Sequence, residues 1–286
     1  MGNAKNRYWQ EIRGLCMLAV VMMHCPSAAS YEIGTVTFKT YICFRQFINF
    51  PVAIFIFLSG YFAKKEIVSP SKYYLERAKK LLIPFVIWSV FYDAISIGEN
   101  MMAGNHISWI RTAVYFLWGQ ACPPFYYIIA LAQLTILTPV LMQIVQKGNR
   151  AVKILLWFVT PVYLLVLYIC KISIGSKGIP FSTLYAALFP AWFGFYWLGI
   201  CIRHKREYWE AMANKIAKLS ILWISIILCL GESVLWILGD FGVKFAMNQV
   251  RYTCHFYTFI IILMLLVVIV IATVVIYEWD SVSNII

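Results

Sequence analysis

The chain has 286 residues, of which 62% are apolar and 13% charged, with a formal net charge of +12. An ordinary soluble domain is about half apolar and a quarter charged, so the composition excludes a water-soluble globular protein. No nucleic-acid motif accompanies the basic excess, which therefore points to the short cytoplasmic loops of a membrane protein and not to a DNA- or RNA-binding stripe.

A helix needs roughly 20 mostly apolar residues to cross the hydrocarbon core, and lipid admits only helices or closed barrels. The apolar runs here are continuous instead of alternating, which selects helices. The expected fold is an all-α polytopic transmembrane bundle, a single domain over residues 1–286, with about eight spans (nine or ten possible) and a cytoplasmic amino terminus.

In chain order the spans are predicted near Ile12 to Ala29, Tyr41 to Phe62, Leu81 to Ile97, Phe125 to Val145, Ile154 to Cys170, Thr183 to Ile202, Leu219 to Leu238 and His255 to Tyr277. The first run carries Arg13 and His24 and lacks a convincing cleavage site, so it is not read as a cleavable signal peptide. A further piece, Ile110 to Gly119, is too short to cross unaided and is expected to be interfacial or re-entrant. With eight crossings, 17 of the 24 basic residues fall inside. Lys39, Arg45, Arg111, Lys171, Lys177, Lys244 and Arg251 remain outside, an asymmetry that supports this orientation.

The eight cysteines are scattered through apolar segments with no CxxC pair and no metal spacing, so they are read as small buried residues and no metal site is expected. There is no internal repeat, low-complexity tract or domain linker.

Ionisable residues inside a span are costly to bury and are functional candidates by default. Arg13 and His24 are eleven residues apart. That is almost three whole helical turns, which puts both on one face about 16 Å apart. His24 then lies beyond the midplane, placed to take a proton from a hydroxyl near neutral pH. The plainer alternative is an arginine reaching headgroups and a histidine bonded to a neighbouring helix.

The stretch Glu11-Ile12-Arg13-Gly14-Leu15 through Met23-His24 resembles the Arg-x10-His signature of the membrane-bound acyltransferase-3 family. Phe55-Ile56-Phe57-Leu58-Ser59-Gly60-Tyr61-Phe62 is similar to the end of that family's second helix. Tyr74 through Pro84 resembles its basic loop leading into helix three, with Lys80 where a second arginine is common. Phe125-Tyr126-Tyr127 through Leu137-Thr138-Pro139 and Phe193-Gly194-Phe195-Tyr196-Trp197-Leu198-Gly199 match later helices in order. The motifs run from Arg7 to Cys201. Family members usually have further crossings and close on a helix with a Tyr-Leu-x-His-like pattern, so a chain ending soon after Tyr277 is expected to be a short or C-terminally truncated member.

The resemblance implies O-acylation of an envelope glycan or lipid-linked sugar at a bacterial-type cell membrane. The donor would be a cytoplasmic acyl coenzyme A, acetyl being the usual cargo, with no permanently bound cofactor. His24 would be the general base. Arg77 and Lys80, at i and i+3, would grip donor phosphates, with Arg13 completing the pocket. The same charges also suit topology and contact with the lipid bilayer. Ser59 and Gly60 are candidates for close backbone approach to substrate or for packing alone. Tyr126 and Tyr127 are candidates for sugar contact or for an interfacial aromatic belt, and Glu232 for orienting His24 or for a neutral structural role. A small-metabolite transporter and a catalytically inactive membrane module are the rival functions.

Overall fold

The computed structural model describes residues 2–24, 35–48, 50–64, 67, 69–174 and 187–205. Glu232 and the expected spans Leu219 to Leu238 and His255 to Tyr277 lie outside them. Among the described residues every regular element is helical. The chain divides into two compact units, Met1–Ser59 with Lys205–Ile286, and Gly60–His204.

In the first unit α1 (Gly2–His24) is one unbroken helix that packs against α2 (Val36–Ile48). It buries the small residues Cys16 and Ala19 and exposes Leu15, Met17, Leu18 and Val21, a pattern that lets backbones approach on one side and offers apolar surface on the other. Thr35 caps α2, its hydroxyl accepting from the Phe38 amide at 3.2 Å. The expected single span Tyr41 to Phe62 is corrected by the structure. α2 starts earlier, at Val36, and a new helix, α3 (Pro51–Tyr61), begins at a proline. Proline has no amide to donate and disfavours helical geometry in the residue before it, so it opens a helix more readily than it continues one.

In the second unit α4 (Pro70–Met102) also opens on a proline and runs 33 residues, about 50 Å at 1.5 Å per residue. The basic stretch Tyr74 to Lys80, expected as a loop, is instead the first turns of this helix. The short α5 (Trp109–Leu117) folds back on α4, with Phe116 against Phe85 at 5.8 Å. It has the brevity expected of Ile110 to Gly119, and none of its residues is buried. Gly119 ends it at φ +65°, where a side chain would also strike the Phe125 backbone, so only glycine fits.

A 3₁₀ turn, Pro123–Phe125, leads into α6 (Tyr126–Lys147). α6 buries Ala130, Leu131, Leu134, Thr135, Thr138, Leu141, Met142 and Val145, a continuous helical stripe, and packs against α4 and the last helix of the unit. Helical structure continues through α7 (Arg150–Leu155), a 3₁₀ turn at Leu156–Phe158 and α8 (Val159–Ile174). The tightening comes just ahead of Pro161, which cannot donate to the preceding turn.

α9 (Phe193–His204) is buried at every residue from Phe193 to Ile200. Its start is held by polar clamps. The Thr160 hydroxyl donates to Pro190 O at 2.7 Å and accepts from the Gly194 amide at 2.8 Å. Gln133 donates to Ala187 O at 2.8 Å and accepts from the Phe189 amide at 3.2 Å. These bonds satisfy backbone groups that a buried helix start would otherwise leave orphaned. Among the described residues, α4 and α6 are long and apolar enough to cross a membrane.

Candidate functional site

The polar centre of the second unit is built where α4, α6 and α9 meet. Tyr196 of α9 is 2% exposed, and its hydroxyl lies 2.6 Å from Thr138 Oγ1 of α6. Thr138 also donates to Leu134 O at 3.1 Å. A hydroxyl has one proton to give, so the phenol is the donor to Thr138 and its oxygen keeps lone pairs for other donors. Tyr73 of α4 bonds that same hydroxyl, and Arg77 lies near enough for its charge to act on it. One turn apart, these two also hold each other, the Arg77 guanidinium carbon lying 5.6 Å from the centre of the Tyr73 ring.

The register between α4 and α6 fixes the depth of this cluster. Tyr74 donates to Ile136 O at 3.0 Å, and Phe85 meets Phe125 at 6.0 Å between ring centres. Tyr74 to Phe85 and Phe125 to Ile136 are the same eleven-residue step run in opposite directions, so the helices are antiparallel in a constant register. Arg77 therefore lies opposite the middle of α6, near Gln133, and not opposite its basic end at Lys147. It is half-buried, whereas Lys79 and Lys80 on neighbouring positions are exposed.

Gly60 explains why α9 comes so close. A Cβ at this position would collide with the Tyr196 carbonyl, so glycine allows the two backbones to touch. Ser59 is committed elsewhere, its hydroxyl donating to Phe55 O at 2.7 Å within α3. Tyr126 stacks on Trp192 at 6.2 Å, and Tyr127 beside it is half-buried. At the start of α4, Glu76 accepts from Lys64 at 2.9 Å. That hydrogen bond and the Lys64 charge hold its carboxyl below the usual carboxylate range. In the first unit, α1 carries Arg13 and His24 on one continuous helix, both exposed and each engaged in an interaction. Thus, of the expected residues, Gly60 abuts the Tyr196 backbone and Arg77 lies near its hydroxyl, Lys80 is exposed, and Glu232 lies outside the described residues.

A family model described as an acyltransferase domain, of the acyltransferase 3 type, matches residues 6–286. The chain belongs to the acyltransferase 3 family. No curated protein and no solved structure matches it.

An acyltransferase needs an acyl donor and an acceptor, and in this acyltransferase the residues around Arg77 that sequence reasoning passed over are Tyr73, Thr138 and Tyr196. Thr138 and Tyr196 stand inside the motifs that carried the resemblance, yet nothing in those motifs assigned them a role. The available signal was the unbroken apolarity of Phe193 to Ile200. A helix apolar all round is a buried one, and the lone tyrosine hydroxyl on it needs a partner.

Proposed function

We propose that this acyltransferase is a multi-pass protein of a bacterial-type cell membrane, with its amino terminus inside. It moves an acetyl group from cytoplasmic acetyl coenzyme A to a hydroxyl of an envelope glycan or lipid-linked sugar. His24 takes the proton from the acceptor hydroxyl as its oxygen attacks the thioester carbonyl carbon. The carbon–sulfur bond then breaks, and the thiolate leaves with the proton that the imidazolium returns. Arg13, Arg77 and Lys80 draw in the polyanionic donor, Arg77 by charge-assisted bonds to phosphate oxygens and exposed Lys80 as a looser charge at the approach.

The observation that carries this reading is the half-buried Arg77, braced by Tyr73 and close to Tyr196, beside the middle of α6. A charge that only fixed topology or met lipid would need no aromatic brace. One helix carrying Arg13 and His24 supports the rest, since eleven residues of continuous helix keep the two within about 20° of one face.

Membranes supplied with labelled acetyl coenzyme A test it. Label should pass to an envelope glycan fraction, and His24→Ala should slow the transfer at least a hundredfold, the usual scale of a lost general base. Equal transfer by wild type and His24→Ala refutes the assigned base, and no labelled acceptor with wild type refutes the donor.

A further inference from the structure

α9 carries a second guanidinium that the cluster at Tyr196 leaves unused. Arg203 stands seven residues beyond Tyr196 in the same helix. Seven residues are two turns, so both side chains leave α9 from nearly the same side, about 10 Å apart along its axis. Tyr61 braces Arg203, the guanidinium carbon lying 5.4 Å from the ring centre. Tyr61 in turn follows Gly60, whose close approach to the Tyr196 backbone sets its place.

A cation–π contact uses the charge and leaves the N–H donors on the guanidinium edge for other partners. Nε on that edge is buried and, among the described residues, has no hydrogen-bond partner. The group cannot lose its charge, so an unpaired buried N–H is a cost that an incoming oxyanion recovers. Attraction to the carbonyl end of α9 accounts for a basic residue in the last turn. It accounts neither for the aromatic brace nor for the orphaned donor.

The direction of α9 gives the two arginines an order. Trp192 stacks on Tyr126 and Tyr196 bonds Thr138, so α9 runs the same way as α6. Arg203 therefore lies toward the Lys147 end of α6, while Arg77 lies deeper, beside Tyr196.

We infer that Arg203 binds the 3′-phosphate on the nucleotide end of the donor thioester, while Arg77 holds the diphosphate deeper along the same wall. This rests on the acyl coenzyme A reading above. One guanidinium two turns along α9 from Tyr196 and a second on α4 near Tyr196 suit an extended polyanion with two separated phosphate positions. Their order leaves the nucleotide nearest the basic end and sends the thioester inward. Arg203 is thus a binding residue that selects the phosphorylated carrier over the same carrier lacking the 3′-phosphate.

The test compares initial rates with acetyl coenzyme A and acetyl-3′-dephospho-coenzyme A, using the full chain in vesicles of phosphatidylcholine with and without phosphatidylglycerol. Wild type should show a KM at least about tenfold lower for the phosphorylated donor, the scale of one charge-assisted hydrogen bond. Arg203→Gln should raise KM for that donor by the same factor and leave the dephospho donor unchanged. Arg203→Lys keeps a charged stem on Tyr61 and should lose part of the preference, because an ammonium does not reproduce the fork. It reads the same quantity if the glutamine variant fails to fold. An equal loss with both donors, an unchanged preference, or a preference that follows the anionic lipid instead of the 3′-phosphate overturns the assignment. A wild type that uses neither thioester overturns the donor reading and this assignment with it.

Discussion

α9 and α4 are apolar helices of one unit built to opposite plans. From Phe193 to Ile200 every residue of α9 is buried, whereas α4 buries only Tyr73, Phe85 and Ser89 along 33 residues. Hydropathy reads both simply as spans. The difference is where each spends its polar groups: α9 is pinned at its start by Thr160 and Gln133, and α4 brings Tyr73 and Arg77 of its first turns close to Tyr196. One helix is core, and the other is a long strut that meets the core at its first turns.

The largest expected effect separates them directly. Trp197 is fully enclosed in α9, while Trp88 of α4 is 52% exposed. Trp197→Ala should cost about 3–5 kcal/mol, and Trp88→Ala within about 0.5 kcal/mol, read as unfolding free energies in detergent. Similar losses at the two positions break the comparison.

A smaller contrast uses glycine. Gly60→Ala forces a methyl group into the Tyr196 carbonyl and should cost about 1–3 kcal/mol. Gly98 of α4 has nothing within 4 Å of a new Cβ, so Gly98→Ala should be neutral or stabilise by up to about 1 kcal/mol through helix propensity. Thermal unfolding of the two purified variants checks the sign of each.

These contrasts also mark what was legible in the sequence. The expected run Phe125 to Val145 falls almost on α6, because one long apolar stretch with a basic end leaves little choice. The break before Pro51 was missed, since a hydropathy window weighs side chains and ignores a missing backbone donor. Tyr74 to Lys80 reads as a loop because its charges look solvated, yet Tyr73 and Arg77 at i and i+4 share one helical face, close to Tyr196 of α9. Arg203 reads in the sequence only as one of the basic residues on the inner side. Its neighbour Tyr61 is 142 positions away in sequence, and no local pattern announces that contact.

The smallest effect belongs to the exposed pair Lys64–Glu76 at the start of α4. Because Lys64 lowers the Glu76 pKa on folding, the contribution is present above the ordinary carboxylate range and is lost as pH falls through the lowered value. Glu76→Gln should therefore be slightly less stable than wild type at neutral pH and equal to it in acid, as differential melting temperatures at the two pH values will show. The reverse order would contradict the pairing.

The burial and bracing of Arg77 are tested most directly by donor kinetics on two neighbours of α4. With acetyl coenzyme A varied, Arg77→Ala should raise KM about tenfold or more, whereas exposed Lys79→Ala should change it less than about twofold. Equal effects at the two positions, or none at Arg77, would contradict the account.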